Sequence, residues 1–225
     1  GTGHENLIED CSYVFVTRSK TKMNLETLEW KLRRERGVPI QAITGDEARE
    51  LEPDLSPSIQ NGVLINGQGR TTNPGRLGKV IAEKAIAQGV KYFKADVKRI
   101  VPLTNGGYEI VTDNGNKQAS KLVLTAGVWS AKLLKDFGVN VLLEAERGYH
   151  LIFKDPDVTL KNSILDADNK FVSSSMEMGM RSAGTAEFAG VDAPPNYKRA
   201  LIFKDHAKSL FPKLNTSSVQ EWMGR

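Results

Sequence analysis

The longest apolar runs in this chain are only as long as a β-strand. The stretch 121–124 is typical, and none approaches the ~18–20 apolar residues of a membrane-spanning helix. Such short runs imply many short elements around a core. The 225 residues make one large domain or two small ones. With 40% hydrophobic and 26% charged residues, a real core is possible, and a disordered acidic tail, a collagen and a low-complexity chain are excluded. Residues Gly1–Asn6 carry neither a basic n-region nor an apolar h-region, so no signal peptide is expected there. The single cysteine, Cys11, cannot close an internal disulfide and points to a reducing compartment.

Net charge is +4 with a pI near 9.1. Lysine and arginine are nevertheless interleaved with acids, and even the densest cluster, Lys31 to Arg36, contains Glu35. This is a solvated surface, and nucleic-acid binding is not expected.

Periodicity and turn residues divide the chain. Strands are expected at 12–17, 62–66, 92–101, 108–112, 121–125 and 141–153, in a meander at 163–167, 170–175 and 181–188, and at 219–223. Helices are expected at 24–36, capped by Asn24 with Leu25, Leu28 and Leu32 on one face, and at 44–51, stopped by Pro53. Further helices are expected from Pro74 to Gly89, at 130–137 and at 196–210. Thr104-Asn105-Gly106-Gly107 reads as a tight turn. The fold class is mixed α+β and α/β: an antiparallel-rich sheet with flanking helices, interrupted by a βα-rich centre. An inserted domain would give that layout.

Four stretches could carry chemistry. Ala95-Asp96-Val97 follows a helix and opens a strand, a common α/β step. At 121–130 an apolar strand runs into Thr125-Ala126-Gly127, then a helix bearing Trp129. Small residues there let backbone N–H groups approach a ligand and put a helix N-terminus beside an anion, but the local pattern alone favours a plain tight strand–helix turn. Glu146-Arg147-Gly148-Tyr149-His150 groups residues able to hold a carboxylate, although strand alternation sends Arg147 and Tyr149 to one face and His150 to the other. In Met176–Gly190 the methionines read as adaptable packing, Gly184 as a bulge or close approach, and Arg181 with Glu187 as a surface pair. The sequence holds no Gly-x-Gly-x-x-Gly, phosphate loop, nucleophile elbow or metal-ligand spacing, so no metal is expected.

Taken in order, Gly69–Pro74, Ala95–Val97, Val123–Ser130, Glu146–His150, Met180–Gly190 and Glu221–Arg225 resemble the FAD-dependent D-amino-acid dehydrogenase branch of the D-amino-acid oxidase superfamily. The resemblance implies an internal fragment of a flavoenzyme, lacking the N-terminal dinucleotide-binding βαβ unit and the C-terminal flavin-contacting segment, and inactive alone. Residues 1–73 and 138–225 would form a discontinuous substrate-binding domain and 74–137 part of the FAD-binding domain. Val97, Thr125, Ala126, Gly127 and Trp129 would contact FAD. Tyr149, His150, Arg181 and Arg225 would lie toward the substrate. No residue is singled out as catalytic. The implied reaction converts D-amino acids to 2-oxo acids and ammonia, with electrons passing to a membrane quinone chain. The resemblance also implies a cytoplasmic protein at the inner face of a membrane and dimerisation through the cut face. An oxidase or dehydrogenase of glycine, sarcosine or another secondary amine is the alternative substrate reading, and a cofactor-free binding domain of the same fold is the alternative to an enzyme.

Overall fold

Strands outnumber helices because β-branched and aromatic residues cluster in the short apolar runs. The structure is a computed structural model describing residues 3–21, 23–104 and 106–225. In chain order the strands are β1 (Ile8–Thr17), β2 (Ile40–Thr44), β3 (Asn61–Thr71), β4 (Val97–Pro102), β5 (Tyr108–Thr112), β6 (Lys117–Ala119), β7 (Glu146–Phe153), β8 (Ser163–Asp166), β9 (Phe171–Met176), β10 (Gly179–Phe188) and β11 (Val219–Gly224). The helices are α1 (Leu28–Glu35), α2 (Gly45–Leu51), α3 (Pro74–Ala87), α4 (Ser130–Leu134) and α5 (Lys198–Leu210).

The chain forms two compact units. One comprises Gly1–Lys84, Gly148–Ala186 and Pro195–Gly224; the other Ala85–Arg147, Glu187–Pro194 and Arg225. An eight-stranded sheet in the order β11-β7-β10-β9-β8-β1-β3-β2 organises the first. Its β1–β3, β2–β3, β8–β9, β9–β10 and β7–β11 pairs are antiparallel, and β1–β8 is parallel. Period-two alternation sorts the side chains. Val14, Val16, Tyr149, Leu151, Phe153, Ile164 and Met180 face a core shared with Ala200, Phe203, Ala207 and Leu210 of α5 and Ala48 of α2. Tyr13 and Phe15 take the opposite face, where Phe15 meets Trp30 of α1 edge-on at 5.1 Å. In the second unit β4, β5 and β6 form an antiparallel three-stranded sheet.

Local signals explain most boundaries. Thr44 and Glu47 form a reciprocal capping box at α2. Gly37, with φ 77°, follows α1 in the left-handed conformation expected of a C-terminal glycine. Asn105, in the expected tight turn, lies outside the described residues, and Gly106 and Gly107 beside it both have φ near 88°.

Other expectations need correction. Residues 121–125 are irregular, as are 92–96 and 141–145. Apolar composition alone does not make a strand. A ladder also needs a neighbour for its N–H and C=O groups, and no described strand pairs with 121–125. Val123 is accordingly 82% exposed. The first helix begins at Leu28, with Thr27 rather than Asn24 at its N-cap; Asn24 instead accepts a hydrogen bond from the Glu26 N–H at 2.9 Å. Its buried residue is Trp30, while Leu28 is 71% exposed. Strands β2 and β6 were not expected from the sequence.

Candidate functional site

In the second unit an open pocket of about 590 Å³ is lined by Asp96, Val97, Lys98, Thr125, Ala126, Gly127, Trp129, Lys132 and Leu133. It contains all five residues that the sequence singled out for FAD. The small side chains at 125–127 leave backbone accessible. Gly127 has φ 54°, and no atom lies within 4 Å of where its Cβ would stand. Trp129 is half-exposed and Val97 borders on exposed, so the lining offers apolar surface to a flat heteroaromatic group. Lys98 is ion-paired with Asp96, which raises the Lys98 pKa and lowers that of the Asp96 carboxyl. The expected helix N-terminus contributes little: residues 127–129 form a 3-10 turn, and the five-residue α4 aligns few peptide dipoles.

The second candidate surface lies in the first unit, on the face of the large sheet opposite the α2/α5 core. Alternation along β7 places Tyr149 and His150 on opposite faces, as the sequence implied. The consequence for Tyr149 is burial: 2% exposed, its hydroxyl accepts the Asn196 N–H at 3.0 Å. The structure does not bring it together with Arg181. His150 takes the open face and stacks on Trp222, its cross-strand partner, with ring centroids 4.7 Å apart. Burial, reinforced by the Arg181 charge, pushes the His150 pKa from 6.5 to about 4. Arg181 is half-buried on this face, and desolvation lowers its pKa. With Tyr13, Arg70, Thr71, Ser163 and Ser174 it lines a cavity of about 240 Å³. Tyr13, Ser163 and Ser174 escaped the sequence reading because serines and a strand tyrosine carry no distinctive local signal. Thr71 lay within the noted Gly69–Pro74 run.

Arg225 donates its Nε–H to the Val191 carbonyl at 2.6 Å, within the second unit. The expected Arg181–Glu187 surface pair does not form. Glu187 pairs at 3.3 Å with Arg147, which is fully buried. Gly184 answers a backbone approach, because a Cβ there would lie 2.4 Å from the Lys170 carbonyl oxygen. Of the methionines, Met180 is core and Met176 borders the small cavity. No cluster of three metal-capable side chains occurs among the described residues, and no helix among them is long and apolar enough to cross a membrane.

The neutral His150 makes a testable contribution to stability. The unfolded chain takes up this proton below about pH 6.5, whereas the folded chain resists it until about pH 4. The contribution is therefore complete above 6.5 and declines as pH falls toward 4. His150→Asn should flatten that part of the profile, measured by urea unfolding at about pH 7, 6 and 5. An unchanged slope would show that the imidazole titrates normally.

Comparison with known proteins gives the family. The FAD dependent oxidoreductase (DAO) profile matches residues 2–225. A D-amino-acid oxidase of Bradyrhizobium diazoefficiens is 37% identical over 201 residues, covering 88% of this chain and 48% of the relative. A D-amino acid dehydrogenase of Allorhizobium ampelinum is 23% identical over 212 residues, covering 92% of this chain and 50% of the relative. The chain thus spans about half the length of these curated relatives. The crystal structure of glycine oxidase from Geobacillus kaustophilus superposes with a TM-score of 0.79 over 96% of this chain and 59% of its own, at 18% identity. The ordered motifs, the mixed α/β architecture and the match along nearly the whole chain place it in the FAD dependent oxidoreductase (DAO) family.

Proposed function

We propose that the chain is part of a flavoenzyme that oxidises D-amino acids to imino acids, which hydrolyse to 2-oxo acids and ammonia. The observation that carries this reading is the 37% identity to a D-amino-acid oxidase across 88% of the chain. On this reading 74–137 belongs to the cofactor-binding domain, and 1–73 with 138–225 to the substrate-binding domain. The pocket at Val97, Thr125, Ala126, Gly127 and Trp129 suits the adenosine end of FAD: it has apolar walls, bare backbone at Gly127, and Lys98 and Lys132 in its lining. When bound, FAD would supply the two-electron acceptor that this oxidation needs. The protein's part is orientation. His150, uncharged near neutral pH, leaves the arginines Arg181 and Arg70 as the cations lining the cavity on the open sheet face. Tyr149 acts from the core, holding the Asn196 backbone. Arg225, which the resemblance assigns to the substrate, is held within its own unit by the Val191 carbonyl. Electrons would leave for a membrane quinone chain, which would bring the protein to the inner face of a membrane.

The test is the visible spectrum of the protein expressed from its full reading frame, before and after anaerobic D-alanine. The oxidised-flavin band should bleach. Bleaching by sarcosine or glycine but not by D-amino acids would replace the substrate class. Absence of any flavin band would favour a cofactor-free binding domain. Reoxidation by a quinone analogue, and not by oxygen, should identify the acceptor.

A further inference from the structure

Four asparagines in the chain precede a glycine: Asn61, Asn66, Asn105 and Asn114. In such a pair the following backbone nitrogen can reach the side-chain amide carbon, because glycine brings no Cβ into its path. Asn105 lies outside the described residues, and the fold sets the other three apart.

Asn61 is protected. It is 8% exposed in β3, paired with Thr17 of β1 and Thr44 of β2, and its Nδ2 donates to the Ser19 carbonyl at 2.8 Å. Gly62 is tightly packed as well: a Cβ there would lie 2.5 Å from the Phe15 carbonyl oxygen. Asn114 is exposed in the turn between β5 and β6, but that turn is fastened. The Asn114 N–H donates to Thr112 Oγ1 at 3.1 Å, and the Thr112 hydroxyl donates to the Gly115 carbonyl at 2.7 Å. Asn114 Nδ2 reaches the Lys94 carbonyl at 3.5 Å.

Asn66 stands differently. Tyr13 pairs with Ile65 and Cys11 with Gln68, so Asn66 and Gly67 of β3 face the single residue Ser12 of β1. Such a bulge takes the pair out of the regular ladder. Both residues are exposed, and no atom lies within 4 Å of where a Gly67 Cβ would stand. The Ser12 hydroxyl donates to Asn66 Oδ1 at 3.0 Å, whereas Asn66 Nδ2 has no hydrogen-bond partner among the described residues. Ser12 is itself anchored. Its N–H donates to Asn162 Oδ1 at 2.9 Å, and the buried Glu52 carboxylate accepts the Asn162 N–H at 2.6 Å and Nδ2 at 2.9 Å. The Asn66 amide therefore has a polarised carbonyl and a free leaving nitrogen. A donor held on the oxygen where negative charge develops lowers the barrier to attack on that carbonyl.

We propose that Asn66-Gly67 is a self-modification site, at which Asn66 loses its amide through a cyclic imide and Ser12 is the catalytic donor. The Gly67 nitrogen attacks Asn66 Cγ. The new N–Cγ bond forms, the Cγ–Nδ2 bond breaks, and ammonia leaves with the proton of the Gly67 nitrogen. Water then opens the ring at either carbonyl, giving aspartate or isoaspartate at this position. Nothing is oxidised or reduced. Isoaspartate lengthens the β3 backbone by one methylene just ahead of Gln68–Thr71, which pair with Ile8–Cys11. The proposal is independent of the substrate reading above.

The experiment incubates the flavin-loaded protein, expressed from its full reading frame, at mildly alkaline pH. Each Asn-Gly peptide is followed by mass spectrometry, with fragment ions separating aspartate from isoaspartate. Asn66 should convert several-fold faster than Asn114, and Asn61 should stay intact. Ser12→Ala should slow conversion of Asn66 about 2–10-fold, the worth of one neutral hydrogen bond in the barrier, and leave the Asn114 rate unchanged. In urea, where the bulge and the Ser12 contact are lost, Asn61, Asn66 and Asn114 should convert at similar rates. This comparison needs no variant and covers the case in which Ser12→Ala fails to fold. The proposal is overturned if Asn66 is no faster than Asn114 in the folded protein, if its lead persists in urea, or if folded Ser12→Ala converts at an unchanged or higher rate.

Discussion

Replacing Arg147 with methionine is expected to cost about 3–5 kcal/mol of stability, read as a lower urea midpoint at unchanged slope. The side chain is fully buried. Its Nη1 donates to the Ala193 carbonyl at 2.8 Å and its Nη2 to the Pro194 carbonyl at 2.7 Å, and Nη2 lies 3.3 Å from the Glu187 carboxylate. One guanidinium therefore secures both ends of the 187–194 stretch. Methionine fills similar volume but leaves Glu187, only 15% exposed, without this counter-ion and two carbonyls without these donors. Removing one partner of a buried pair is the expensive way to break it. Adding Glu187→Gln to the variant should recover part of the loss, because it removes the charge that the arginine faced. A loss below about 1 kcal/mol would show that the pair behaves as a solvated surface contact.

Gly184→Ala should cost about 3 kcal/mol or more, with loss of folded soluble protein in the most stringent conditions. A single methyl group is enough. The new Cβ would lie 2.4 Å from the Lys170 carbonyl oxygen and 2.6 Å from the Phe171 Cα, both backbone atoms of the neighbouring chain segment. That segment has little freedom to retreat. Asp166, fully buried, accepts the N–H groups of Asp168 and Asn169 at 3.0 Å each, and the Lys170 N–H closes onto the Asp166 carbonyl at 2.9 Å. Lys170 itself sits at φ 57°. Phe171 is pinned in the core against Phe203, with ring centroids 5.7 Å apart. Gly190→Ala is the control: its φ is 72°, with no atom within 4 Å of the added Cβ, so only about 1 kcal/mol of backbone strain is expected. Thermal and urea unfolding of the two variants should separate clearly. Equal losses would show that the close approach at Gly184 relaxes in solution.

Both variants test contacts between segments far apart in the chain, and the same distinction separates what was legible in the sequence from what was not. Alternation along 146–153 decided that Arg147 and Tyr149 share a face and that His150 takes the other. It could not say which face α5 would cover; Tyr149, which the family resemblance put toward the substrate, packs in the core. The pocket lined by Val97 and Trp129 was largely legible because Thr125, Ala126, Gly127 and Trp129 are nearly contiguous, and only Val97 of these five joins them from elsewhere. The small cavity was not, because Tyr13, Thr71, Ser174 and Arg181 meet only through the strand order β10-β9-β8-β1-β3. Residues 121–125 show the converse, a strand-like composition with no described strand beside it. Backbone preference and side-chain period act over a few residues, so they specify elements, caps and faces. Which strands become neighbours, which face is buried and which cation is left without a counter-ion depend on packing between distant segments, and those were settled only by the folded sheet.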